Sequence, residues 1–189
     1  MFKVAIVVGS IRKESMNLKL AKALAKLGAG KFQSSLVSIA DLPLFNQDLE
    51  ASMPAAVTRF KSEIEAADAV LFVTPEYNRS VPGVLKNAID WGSRPYGKSS
   101  WDGRVAAIAG ASPGAVGAAV SQNHLRSILN GFLNMKLLGQ PEVYFQFKEG
   151  SISEDGTVAD DNTRKFLQGF VDRFTNWAET QTHEKAKAA

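Results

Sequence analysis

The chain has 189 residues, 45% of them apolar and 22% charged, with a formal net charge of +3 and a sequence pI of about 9.1. That is one domain's length, and the absence of cysteine beside only two histidines excludes disulfides, thiolate nucleophiles and iron–sulfur ligation and argues against structural zinc. The basic residues are scattered and no apolar run reaches bilayer length, so neither nucleic acid nor membrane is an expected partner, and a soluble, cytoplasmic protein is expected.

The N-terminus enters a strand directly. Val4 to Gly9 is an apolar run rich in Val and Ile, the look of a strand buried on both faces. Ser10 to Asn17 is a polar turn, and Leu18, Leu20, Ala21, Leu24 and Leu27 then repeat at helical spacing until Gly28 and Gly30. Phe32 to Ile39 is a second, weaker strand, and Ala40 to Met53 a long connection. Pro54 opens a helix with Val57, Phe60, Ile64 and Ala67 on its apolar face. Ala69 to Val73 is a short buried strand, and Pro82 opens the next helix, through Trp91. After an irregular stretch, Arg94 to Gly103, Val105 to Ala109 forms a fourth strand and Gly110 to Gly117 a small-residue turn. A helix from Ala118 to Leu133 carries Leu125, Ile128, Leu129 and Phe132 on one stripe. Val143 to Phe147 is the fifth strand, and Asp155-Gly156 a turn. Thr163 to Thr180 is a final amphipathic helix. Residues 1–180 read as a single domain, with a polar tail over 181–189 expected to fray.

Five strands alternating with five helices imply a parallel sheet covered on both faces. In such a sheet a ligand sits beyond the carboxyl ends of the strands, at the switch point. Three loops lie there: Ser10–Asn17, Pro75–Gly83 and Ala111–Gly117. The first combines unpaired N–H groups at a helix start with the side-chain donors of Ser10, Ser15 and Asn17 and the guanidinium of Arg12, a set suited to a phosphate. It is equally the composition of an ordinary strand-to-helix turn with an N-cap and a solvated Arg. Neither G-x-G-x-x-G nor a P-loop is present. Asp41, after the second strand, stands where a ribose-binding acid sits in a dinucleotide fold, but without that glycine fingerprint.

Together, Gly9-Ser10-Ile11-Arg12-Lys13-Glu14-Ser15-Met16-Asn17, Asp41-Leu42-Pro43-Leu44-Phe45-Asn46-Gln47-Asp48 and Thr74-Pro75-Glu76-Tyr77-Asn78-Arg79-Ser80-Val81-Pro82-Gly83, followed by Leu85-Lys86-Asn87-Ala88-Ile89-Asp90-Trp91, resemble the NAD(P)H-dependent FMN reductase family, in particular its quinone and chromate reductase branch. The resemblance covers Lys3 to about Phe147. It implies a flavodoxin-like α/β fold, strand order 2-1-3-4-5, with one non-covalent FMN and with NADPH or NADH as co-substrate. It implies that Ser10, Arg12, Ser15 and Asn17 hold the FMN phosphate, with Met16 in the same turn, that Pro75, Glu76, Tyr77 and Asn78 run along the isoalloxazine ring, and that Ser112 lies at its other edge. It implies homodimers, often paired into homotetramers, with quinones as acceptors and chromate or another oxyanion as an adventitious one.

The residue chemistry fits. Pro75 fixes the chain so that the next three residues can present their N–H groups. Tyr77 offers an aromatic wall on the substrate side, and Asn78 can satisfy a carbonyl or a ring N–H. With no cysteine, redox chemistry needs such a cofactor, and hydride transfer to it needs no protein acid, base or nucleophile, so no catalytic residue is expected. Glu76 is expected to face solvent and contribute its backbone. Arg79 is the candidate contact for a nucleotide phosphate or an anionic acceptor, or else a solvated side chain. His124 reads as a packing or interface histidine, and Asp90 and Trp91 as residues that cap and pack their helix. The Leu125–Phe132 stripe and the stretch after Pro82 offer more apolar surface than one sheet needs, which points to a homodimer. Two other readings are a flavodoxin-type electron carrier, against which the +3 charge speaks, and a non-catalytic module for a small anion.

Overall fold

The structure, a computed structural model, describes the backbone of residues 2–188 and the side chains of residues 2–182. Five helices and a short 3-10 turn surround a sheet of six strands. In chain order these are β1 (Phe2–Val8), α1 (Met16–Leu27), β2 (Phe32–Val37), the turn Gln47–Ser52, α2 (Ala55–Glu65), β3 (Ala69–Thr74), α3 (Gly83–Gly92), β4 (Val105–Ser112), α4 (Ala119–Leu129), β5 (Lys136–Leu137), β6 (Val143–Gln146) and α5 (Asp161–Ala188). Helix α5 thus continues past the expected end at Thr180, and the side chains of most of the expected tail lie outside the described residues.

All strand pairs are parallel, in the order β2-β1-β3-β4-β5, with β6 also on β4. The expected order 2-1-3-4-5 is therefore present, with its fifth position shared by two short strands. Lys136–Leu137 pairs with Val105–Ala106 at the start of β4, and Val143–Gln146 pairs with Ala109–Ser112 at its end. Pro141, which has no N–H to give a ladder, lies in the gap. A two-residue strand has no periodicity, which is why the sequence reading contains only the second half.

Successive residues of β1 point to opposite faces, as the pleat requires. Val4, Ile6 and Val8 pack with Leu20, Leu24, Leu167, Phe170 and Phe174 of α1 and α5. Ala5 and Val7 pack with Val57, Phe60, Ile64, Leu85, Ile89 and Leu125 of α2, α3 and α4. Both faces are dry, so the central strands are apolar throughout. The irregular segment after α3 anchors in the second core through Trp101, fully buried, whose Nε1 donates to the Ile89 carbonyl at 2.9 Å.

The stripe expected on the fourth helix divides. Leu125 and Leu129 are fully buried in the chain's own core, while α4 ends at Leu129 and Phe132, beyond it, is 85% exposed. Phe132 borders two adjoining hollows of about 580 and 340 Å³ at the C-terminal ends of α3 and α4, and Tyr96, 90% exposed, borders the larger. That groove lies at the opposite end of the strands from the three loops.

Candidate functional site

Gly9 ends β1 by donating to the Val73 carbonyl at 2.9 Å. A Cβ there would come 3.0 Å from Leu85 Cδ2 and 3.3 Å from Pro75 Cδ, so glycine lets the first and second loops meet. Ser15 caps α1, its Oγ accepting from the Leu18 N–H at 3.1 Å. The next residues, Met16 and Asn17, carry N–H groups that the helix itself cannot pair. Ser10 Oγ accepts from the Arg12 N–H at 3.4 Å, and the Arg12 side chain is 60% exposed, with Glu14 only loosely beside it at 3.9 Å.

Asn17 is almost fully buried, and its amide is engaged elsewhere. Nδ2 donates to the Ala111 carbonyl and Oδ1 accepts from the Ala111 N–H, both at 2.9 Å. The last β3–β4 pair is Thr74 with Gly110, so one residue further β4 has no strand on that side. The Asn17 amide takes the place of that strand. It ties the first loop to the third and keeps one amide N–H for a ligand.

The second loop is a two-residue hairpin. Tyr77 and Ser80 exchange backbone hydrogen bonds at 3.2 and 3.0 Å, and the residues between them, Asn78 and Arg79, have φ of 49° and 61°. Two consecutive left-handed residues define a type I′ turn. Ser80 Oγ meets His124 Nδ1 at 3.1 Å, which makes His124 a packing partner of the loop.

Glu76 differs from the expectation that its carboxylate would face solvent. Its side chain is only 11% exposed, and Oε2 accepts from the N–H groups of Val120 and Ser121 at 3.0 and 3.3 Å. Those are orphan donors at the start of α4. Its N-cap residue Ala118, at φ 65°, offers no side-chain bond, so Glu76 supplies the cap from a distant loop, where the helix dipole favours a negative charge. The signal for this was in the sequence: Gly117-Ala118-Ala119 holds no Ser, Thr, Asp or Asn ahead of that helix. Glu76 Oε1 also faces Arg79 Nη1 at 3.3 Å, and the Arg79 side chain is 74% exposed.

In the third loop Ser112 Oγ donates to the Gly114 carbonyl at 3.1 Å. Gly117, at φ 58°, packs on the Tyr144 backbone so closely that a Cβ would lie 2.4 Å from its carbonyl carbon. The three loops enclose one cleft of about 150 Å³. Ser10, Arg12, Ser15, Met16 and Asn17 line it from the first loop, Pro75, Glu76 and Tyr77 from the second, and Ala111, Ser112 and Pro113 from the third. Of the expected cofactor residues, Asn78 alone is outside the lining, at the hairpin tip. Asp41 is bound by Arg59 at 2.9 Å, away from this cleft. Among the described residues no cluster of His, Asp and Glu could hold a metal, and no helix is long and apolar enough to cross a membrane.

Helix-start N–H groups, hydroxyls and one guanidinium at one end of the cleft suit a phosphate monoester, and Pro75 and Tyr77 give the other end an apolar wall. Fold and cleft together define a flavodoxin-like α/β protein with a donor-rich cleft at the β1 turn. The sequence model of NADPH-dependent FMN reductases matches residues 2–150. The chain belongs to that family of FMN-dependent enzymes. It is 51% identical to a quinone reductase of Pseudomonas putida over 177 residues, 93% of this chain and 94% of that one. It is 47% identical to the 2-hydroxy-1,4-benzoquinone reductase of a Burkholderia species over 175 residues, 93% and 95% of the two chains. Among solved structures, the flavoenzyme NAD(P)H:(acceptor) oxidoreductase FerB from Paracoccus denitrificans aligns with a TM-score of 0.92 and 49% identity, over 96% of this chain and 99% of that one.

Proposed function

We propose that this chain is an FMN-dependent NAD(P)H:quinone oxidoreductase whose two substrates use one site in turn. The observation that carries the reading is the single cleft where phosphate donors and an aromatic wall meet without an acid–base pair. Relatives at about this identity named as quinone reductases support it. Bound FMN would supply the redox chemistry, as acceptor of a hydride from NAD(P)H and donor of electrons to the quinone.

The chain's own residues bind and orient. Arg12, Ser10, Ser15 and the N–H groups of Met16 and Asn17 hold the phosphate. Asn17 also keeps the first and third loops in register. Pro75 to Asn78 present backbone to the ring, Ser112 serves its other edge, and Tyr77 walls the substrate side. A flat quinone occupies the nicotinamide's place after NAD(P)⁺ leaves, and chromate is at most an adventitious acceptor. The groove at Tyr96 and Phe132 is covered by a second copy of the chain, and two such dimers can pair.

The test is initial-rate kinetics on FMN-loaded protein with NADPH, NADH and a quinone panel. Parallel double-reciprocal lines and competitive inhibition by quinone against the nucleotide are expected. Intersecting lines would mean two separate sites, and protein that cannot retain FMN would refute the assignment.

A further inference from the structure

The hairpin beside the cleft carries both a carboxylate and a guanidinium, and they neutralise each other. Glu76 Oε2 is held by two N–H groups of α4, which fixes the carboxylate in place. Its other oxygen faces Arg79 at 3.3 Å. The type I′ turn keeps the two residues together: Asn78 and Arg79 both sit at positive φ, and the Tyr77–Ser80 bonds close the loop. Ser80 is pinned in turn to His124 at 3.1 Å. Among the described residues Glu76 is the only ion-pair partner of Arg79.

We propose that Glu76 determines acceptor specificity: by capping α4 it fixes a carboxylate beside Arg79, so the hairpin at the rim of the cleft, with Arg79 just outside the cleft's lining, presents no net charge and anionic acceptors gain nothing from Arg79. The inference rests on the acceptor-reduction reading above. The pair itself, with Arg79 largely in solvent, is weak as a stabilising interaction. Selectivity does not depend on that strength. It depends on the charge the hairpin presents to an approaching acceptor, where Glu76 offsets Arg79.

The test compares a neutral quinone with its monosulfonate, and comparing the pair across variants cancels their differences in size and reduction potential and leaves the effect of charge. In both cases NAD(P)H, a proton and the quinone give NAD(P)⁺ and the hydroquinone. The readout is the ratio of kcat/KM for the sulfonate to that for the neutral quinone, on FMN-loaded enzyme at low ionic strength. One unit charge several ångströms from the sulfonate in a wet cleft changes that ratio by about three-fold. Glu76→Gln, which keeps an oxygen to accept from α4, should raise the ratio by that factor. Arg79→Gly, which suits the positive φ, should lower it as much, and the double variant should return it to the wild-type value. Added salt should shrink all three differences. An unchanged or lowered ratio in E76Q would overturn the proposal, as would a gain that persists in the double variant. If E76Q does not retain FMN, R79G decides alone, and an unchanged ratio refutes the idea. A wild-type enzyme that reduces neither quinone defeats the quinone-reductase reading itself, and this inference with it.

Discussion

Replacing Asn17 with Ala should destabilise the folded protein before it affects any ligand. The Asn17 amide makes two buried hydrogen bonds, to the N–H and the carbonyl of Ala111, each 2.9 Å long. Both Ala111 groups face the side where β3 has ended, since its last pair is Thr74 with Gly110, so no other strand can take them over. Alanine leaves one donor and one acceptor unsatisfied in a buried place, at about 1–3 kcal/mol each. Partial relaxation and water entry bring the expected total to about 2–4 kcal/mol, against a folding stability on the order of 5–15 kcal/mol. The assay is urea unfolding of FMN-free wild type and variant, compared by midpoint at constant slope. FMN affinity should fall as well, because the first loop loses its tie to the third. An FMN-free variant within about 0.5 kcal/mol of wild type, with only FMN binding impaired, would refute the argument and make Asn17 chiefly a phosphate ligand.

Arg12→Ala should weaken FMN binding by about 1.5–3 kcal/mol, the range for a hydrogen bond to a charged group, and riboflavin should bind wild type poorly; calorimetric titration with both ligands checks this. Light scattering should return a mass above the 20.4 kDa of one chain, and Phe132→Glu should shift it toward the monomer while leaving the fold intact, because that ring is 85% exposed. Asp155 accepts from Ser153, Lys26 and Thr157, which hold its carboxyl well below the ordinary range. In acid the unfolded chain therefore binds its proton first. The stability Asp155 contributes is complete above the ordinary carboxylate pKa and is lost as pH falls through the depressed folded value. Asp155→Asn should flatten that acid slope in pH-dependent unfolding.

The central strands of the sheet were legible in the amino-acid pattern, although the two-residue strand Lys136–Leu137 was not. β1, β3 and β4 are buried on both faces, and such strands are written as unbroken apolar runs that need no tertiary information to read. The pattern also marked the loops that meet in one cleft, because Gly9–Asn17 and Pro75–Asn78 follow strands that are neighbours in this topology. Tertiary structure decided what the individual side chains do there. Asn17 reaches Ala111, 94 positions away, and Glu76 reaches Val120, 44 positions away. Each bond depends on where one strand ends relative to another, a matter of register that residue identity does not encode. The same holds for Phe132. Its spacing matches the Leu125–Leu129 stripe, but α4 ends at Leu129, so a ring that periodicity would place in the core stands in solvent. Local pattern carries which residues are apolar and how often they recur. Which polar groups are left without partners appears only once the strands and helices have met.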